Sequence, residues 1–338
     1  MIRLQIDKLA TVNDAQGLLQ KAIGVEFGTL PPYLYALYSI RPGTNPEASQ
    51  RIKGIALQEM IHMCLACNIL NALGGSPIIQ PQTYPGPLPG DIGPPGGKPL
   101  TVHLYPFSSD AMAQGMAIEH PEKALDIPVR EALAAAGPKT VTIGEFYRTL
   151  DHFLGTLPAT DWSTGRNQIA DDQFFPGQIF AVNGYADAQR AIQQIVSEGE
   201  GAKDQPLDFQ DEVAHYYRFG EIYNDKVLTK ADTPSGYAFG PARLGVDWSG
   251  GYPAISDPGA HDFSVDPPAA QAAQDQCNAA FTATVEALQR AVTGIGGALG
   301  QAVGMMFALR TAARHAFTVP LADPAQVAGP AFLFKPHP

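Results

Sequence analysis

Positive charge is scarce in this sequence. Lys and Arg number 22 against 33 Asp and Glu, a formal charge of −11, and the basic residues form no cluster. That balance disfavours nucleic acid and anionic membrane surfaces as partners, since both reward basic patches. Charged residues of either sign make up only 16% of the chain, well under the usual quarter. Cysteine is rare too. Cys64, Cys67 and Cys277 are an odd number and give no disulfide framework. Cys64 and Cys67 spell C-x-x-C, but in a helical stretch with no second pair to complete a zinc site, so they read as small core residues. The opening Met1-Ile2-Arg3-Leu4-Gln5-Ile6-Asp7 lacks the apolar run and small-residue cleavage site of a signal peptide. The cytoplasm is therefore the expected compartment. One stretch without charge, Ala291 to Leu309, carries a glycine ladder at Gly296, Gly300 and Gly304. It is mostly Gly and Ala and barely reaches spanning length, so a buried soluble helix packed through its glycine face is expected.

Apolar residues, by contrast, are plentiful. At 45% of 338 residues they supply a large core, enough for one elaborated domain or two closely packed ones. A helical apolar pattern starts after Asn13-Asp14 with Leu18, Leu19, Ala22, Ile23 and Phe27. Pro31-Pro32 should kink or break it shortly after Glu26. A second helix is expected from Glu47 to Leu73, stopped by Gly74-Gly75. Residues 76–100 are too rich in Pro and Gly for helix and read as a long connection held down by Ile78, Ile79, Tyr84 and Leu88, followed by a strand-like Thr101 to Tyr105. Further helices are expected from Thr142 through Phe153, from Tyr185 to Glu200, from Asp208 to Tyr223, and at 269–293 and 295–316. The fold class is mainly α: a four-helix bundle over 1–230, with 231–338 an irregular segment and helical pair packed on it as one structural unit.

The chemistry concentrates in one spelling used twice, Glu59-Met60-Ile61-His62 and Glu212-Val213-Ala214-His215. Side chains three apart on a helix share a face. A Glu from one helix plus Glu-x-x-His from a neighbour is how bundles hold paired metal ions. Glu26 supplies the extra Glu for the first half. Glu26, Glu59 and His62 lie among Ile23, Val25, Phe27, Met60, Ile61 and Leu65. Burying such acids without a partner is prohibitive, and two acids facing each other repel, so a cation is expected between them. For the second half, no acid lies thirty-three residues before Glu212; Glu200, at the end of the preceding helix, is the expected substitute, with Glu198 and Glu145 in reserve. The predicted ligands are Glu26, Glu59, His62, Glu200, Glu212 and His215, one carboxylate bridging two ions. Oxygen-rich ligands with a few imidazoles favour iron, with manganese or zinc as alternatives. Tyr33, Tyr35, Tyr38, Tyr216 and Tyr217 are expected as core or pocket wall. The remaining histidines (103, 120, 152, 261, 315 and 337) are isolated in sequence and expected outside the site.

Five motifs in order carry a resemblance. They are Glu26 with Leu-Pro-Pro-Tyr-Leu (30–34), Glu59-Met-Ile-His62 with Asn68, Thr-Ile-Gly-Glu-Phe-Tyr (142–147), Gly-Glu-Gly (199–201) and His-Tyr-Tyr-Arg-Phe (215–219). Over residues 10–225 the chain resembles the ferritin-like domain family typified by iminophenyl-pyruvate dimer synthase of violacein biosynthesis. The last hundred residues match more loosely, through a helical pair and an Ala-Gly-Pro-Ala-Phe ending (328–332). The resemblance implies a metal-containing ferritin-like bundle; the characterised member joins two imines derived from an oxidised tryptophan. The expected function is a di-metal oxidoreductase or oxidative-coupling enzyme acting on a small amino-acid-derived substrate in secondary metabolism. The alternative is a non-catalytic, iron-handling protein. A homo-oligomer is left open.

Overall fold

A computed structural model describes residues 2–6, 9–94, 97–121, 141–170, 173–202 and 205–336. His337 and the Pro95-Gly96 step of the long connection lie outside the described residues.

Two long helices, α1 (Val12–Tyr38) and α2 (Pro46–Ala72), form a hairpin that organises the rest. Thr11, rather than Asn13 or Asp14, caps α1. Its hydroxyl accepts the Asp14 N–H, and the Asp14 carboxylate accepts the Thr11 N–H at 2.8 Å. Against expectation, α1 continues as helix through Pro31 and Pro32. Proline 32 removes the donor that would meet the Gly28 carbonyl. The Tyr84 hydroxyl donates to that carbonyl instead, at 2.5 Å. Tyr84 comes from the Pro/Gly-rich connection, which lies close on α1: a Cβ at Gly28 would meet Leu88 at 2.9 Å. Ile79, Tyr84 and Leu88 are buried as expected, whereas Ile78 is exposed.

The second layer departs from a simple four-helix plan, because four short helices stand where two long ones would. They are α3 (Ser109–Ile118), α4 (Ile143–Leu154), α5 (Tyr185–Glu200) and α6 (His215–Asn224). Helices α3 and α4 pack on α1, α5 and α6 on α2, and the pairs α3·α6 and α4·α5 close the layer. Helix α3 went unread in the sequence, although Ser108 caps it by accepting the Ala111 N–H. Thr101 to Tyr105 makes only an isolated bridge, Val102 to Gly86, instead of a strand. A two-stranded hairpin, Leu228–Lys230 with Tyr237–Phe239, follows α6.

On the far side, α7 (Pro268–Val292) and α8 (Ala298–Ala316) pair with each other, α7 also meeting α2 and α8 meeting α1. The main apolar core draws on residues from Ile2 to Phe332, and a smaller one gathers Phe263, Ala270, Ala273, Ala316, Val319 and Leu321. The glycine ladder does not pack as expected: Gly300 and Gly304 are exposed, and a Cβ on either would enter open space. Helix α2 is long and apolar enough to cross a membrane, but 89% of that stretch is buried inside the protein, as in the core helix of a soluble fold. All three cysteines are free and buried.

Candidate metal centre

The facing surfaces of the hairpin and the second layer enclose an ionisable cluster. Glu26 on α1 and Glu59 and His62 on α2 are joined by Glu119 at the end of α3, Glu198 on α5 and His215 at the start of α6. None exceeds 8% exposure. Among the described residues no Arg or Lys pairs with any of the four carboxylates. Polar hydroxyls hold them instead. Tyr147 on α4 donates to Glu26 at 2.6 Å and Tyr33 to Glu119 at 2.5 Å. Thr29 Oγ1 lies 2.9 Å from Glu59 and 2.8 Å from the Glu26 carbonyl.

The two imidazoles are oriented from behind. Gln58 Oε1 lies 3.1 Å from His215 Nε2 and accepts from Arg218 Nη1 at 2.8 Å. Because the arginine donates to it, that atom is the amide oxygen, so His215 Nε2 carries the proton. His215 Nδ1 then faces Glu59 Oε1 at 2.8 Å and Glu119 Oε2 at 3.6 Å. It is nonetheless a buried atom without a hydrogen-bond partner. His62 repeats the arrangement. Its Nε2 meets Glu198 at 2.7 Å, while Nδ1 faces Glu26 at 3.6 Å and Glu59 at 3.8 Å. A ring nitrogen aimed at carboxylates, with the other nitrogen hydrogen-bonded outward, is the usual stance of a metal-ligating histidine. The two rings stack with centroids 5.6 Å apart.

Two triads result, Glu26–Glu59–His62 and Glu59–Glu119–His215, each with ligand atoms within 4.8 Å of one another. Ligands at about 2.0–2.2 Å from a shared ion stand roughly 3–4 Å apart. Side-chain adjustments of under an ångström or so would close either triad, and Glu59 belongs to both. The orphaned Nδ1 and, among the described residues, the absence of any Arg or Lys partner make these residues compatible with a metal site.

Without a metal, the electrostatics are strained. Burial, then the neighbouring charges of Glu119 and Glu26, push the Glu59 carboxyl up to about 8. For His62, burial opposes the charge but the bonds to Glu198 and Glu26 prevail, holding its pKa well above the ordinary value. His215 is raised likewise, burial being outweighed by Glu119 and Glu59. Burial also opposes the charge on Glu26 and Glu198, yet contact with His62 lowers both below the usual carboxylate value.

Of the six ligands expected from the sequence, Glu26, Glu59, His62 and His215 come together; Glu200 and Glu212 do not. Glu212 lies outside a helix. Asp208 Oδ1 accepts the N–H groups of Gln210 and Glu212 in a tight turn, Asp211 is left-handed (φ 60°), and α6 starts only at His215. The i,i+3 geometry therefore never forms, and the Glu212 side chain is 58% exposed, 2.9 Å from Arg218. Glu200 sits two residues past Glu198, about 200° round the helix. It accepts the Gly144 N–H at 3.1 Å at the start of α4 and approaches Arg148. Glu145, the other reserve, closes the capping box with Thr142. Glu119 was missed altogether. Its signal was the Ser108 cap followed by Ala111, Met112, Gly115 and Met116 at helical spacing, which would have placed an acid at the last turn before Pro121.

A family model described as Ferritin-like matches residues 19–224. A solved crystal structure of a ferritin like protein from Caulobacter vibrioides aligns with a TM-score of 0.64 at 23% identity, covering 97% of this chain and 99% of that one. At that identity the likeness concerns the fold. No curated protein matches the sequence.

Proposed function

We propose, from the premise that this chain belongs to the Ferritin-like family, that it is a dinuclear metal protein in which Glu26 and His62 would hold one ion and Glu119 and His215 another, with Glu59 belonging to both groups, the ions supplying redox chemistry. The observation that carries this reading is the pair of buried imidazole Nδ1 atoms aimed at three carboxylates with no basic side chain to neutralise them. Three carboxylates and two imidazoles suit iron best, with manganese or zinc as less favoured occupants. When bound, such ions supply electron transfer and Lewis acidity toward dioxygen or a small substrate.

The chain's own groups prepare the site. Glu198 and Gln58 hold the two rings so that Nδ1 points inward, and Arg218 fixes Gln58. Tyr147 and Tyr33 each keep a phenolic proton on a carboxylate oxygen of the centre; burial raises both phenols well above their ordinary pKa. They stay neutral and act as hydrogen-bond donors to Glu26 and Glu119. A narrow cleft lined by Glu119, His120, Gly144, Tyr147 and Gly199 reaches the centre. Its volume of about 20 Å³ holds roughly one water-sized molecule. The amino-acid-derived substrate implied by the resemblance needs that wall to open.

An iron-handling protein without catalysis is the second reading, favoured by the same narrow cleft. The test is metal analysis of the purified protein joined to oxygen consumption with candidate imino- and keto-acids. Two ions per chain with substrate-dependent oxygen uptake supports the enzyme. Two ions with uptake only on ferrous loading supports iron handling. A folded chain that takes up no metal removes both.

A further inference from the structure

The hairpin's other flank carries a second cavity, of about 400 Å³, within the usual range for small-molecule sites. It lies between α1 and α2 on one side and α7 and α8 on the other, and none of the six residues of the metal cluster lines it. Phe27 and Met60 line it while their neighbours Glu26 and Glu59 face the metal centre. Consecutive helical side chains diverge by about 100°, so the hairpin presents one chemistry to each layer.

The cavity is mostly apolar, with three basic residues in its lining. Phe27, Leu30, Leu34, Met60, Phe281 and Phe332 form much of its wall. Lys53, Arg310 and Arg314 also line it, and among the described residues no Asp or Glu does. Among the described residues no acid pairs with these three cations, and the buried Nε of Arg314 has no hydrogen-bond partner. Lys53 and Arg310 are exposed, whereas Arg314 is half-buried. Tyr38 lies with them: burial pushes its phenol up to about 12 despite the pull of Arg310 and Arg314, so it stays a neutral donor. Leu57 and Phe307, exposed at 38% and 63%, extend apolar surface at the cavity's edge.

The geometry points to a binding site for an apolar monocarboxylate of the fatty-acid type, its chain against the phenylalanine wall and its carboxylate at Arg310, Arg314 and Lys53. The apolar walls reward a hydrocarbon chain by area. The guanidinium groups offer the paired donors that carboxylates prefer. This inference does not depend on the metal reading.

Calorimetric titration of the whole protein with dodecanoate, dodecanol and dodecyltrimethylammonium, each below its aggregation limit, tests it. Dodecanoate should bind at one site per chain, more tightly than dodecanol and far more tightly than the cation. The R310Q/R314Q double variant should weaken dodecanoate about tenfold or more and leave dodecanol nearly unchanged, as expected for lost charge-assisted contacts. The exposed K53Q should act in the same direction by a smaller factor. Far-UV circular dichroism and metal content, both unchanged, show that the variants fold and that the cluster is intact. No dodecanoate binding, equal binding of the cationic amphiphile, or dodecanoate affinity unaffected by R310Q/R314Q would each overturn the assignment.

Discussion

Stripping the metal should make the protein lose stability as pH rises from about 5 to about 8, the reverse of ordinary acid unfolding. The cause is Glu59. Its carboxyl moves from an ordinary 4.5 to about 8 in the folded chain, because it is buried beside Glu119 and Glu26. Between those two values the folded chain holds a proton that the unfolded chain has released. Stability therefore falls as pH climbs through the interval. His62 and His215, also raised, act in the same sense. What they contribute is complete below the ordinary imidazole value of 6.5 and disappears as pH passes their folded values. Glu26 and Glu198 are lowered, so their contribution is lost only at more acid pH. At about 1.4 kcal/mol per pH unit, Glu59 alone accounts for up to roughly 5 kcal/mol across the interval. Bound metal replaces those protons, and its apparent affinity grows with pH. Urea unfolding at several pH values, with chelated and metal-loaded protein side by side, measures the effect. Chelated protein should weaken by several kcal/mol toward pH 8 while loaded protein holds or gains. Chelated stability that is flat or rises over this range would refute the reasoning.

Substitutions at five positions probe the remaining structure. Tyr84→Phe leaves the Gly28 carbonyl facing Pro32 without a donor, and should cost about 1–3 kcal/mol, read as a lower urea midpoint with an unchanged slope. Glu198→Gln should weaken metal binding about 10–100-fold without abolishing it, measured by competition with a chromogenic chelator; complete loss would make Glu198 a ligand rather than the group that orients His62. Glu119→Gln should remove one ion per chain by elemental analysis while Glu200→Gln and Glu212→Gln keep full stoichiometry, and the opposite pattern would restore the assignment made from sequence.

The half of the centre carried by the hairpin was legible because its signals are local and regular. Glu26, Glu59 and His62 sit mid-helix in unbroken apolar patterns, where spacing translates directly into facing. The other half was not, because short elements decide it. Asp208 captures two backbone N–H groups and delays α6, so the letters Glu-x-x-His at 212–215 never become a helical face. Glu198 and Glu200 look equivalent in sequence, yet the helix turns one inward and the other toward α4. Pro31-Pro32 reads as a break unless Tyr84, some fifty residues away, is known to answer the freed carbonyl. Glu119 hid at the end of a ten-residue helix beside a Pro/Gly-rich stretch. At 212–215 and at Pro31-Pro32, a single turn-forming or distant side chain overrode the periodic signal.

Anomalous difference scattering from a crystal of the protein as purified locates ions and ligands together. The account requires two peaks, one beside Glu26 and His62 Nδ1, the other beside Glu119 and His215 Nδ1, with Glu59 between them. Well-ordered density with no peak at these side chains, or a peak held by Glu200 or Glu212, would contradict it.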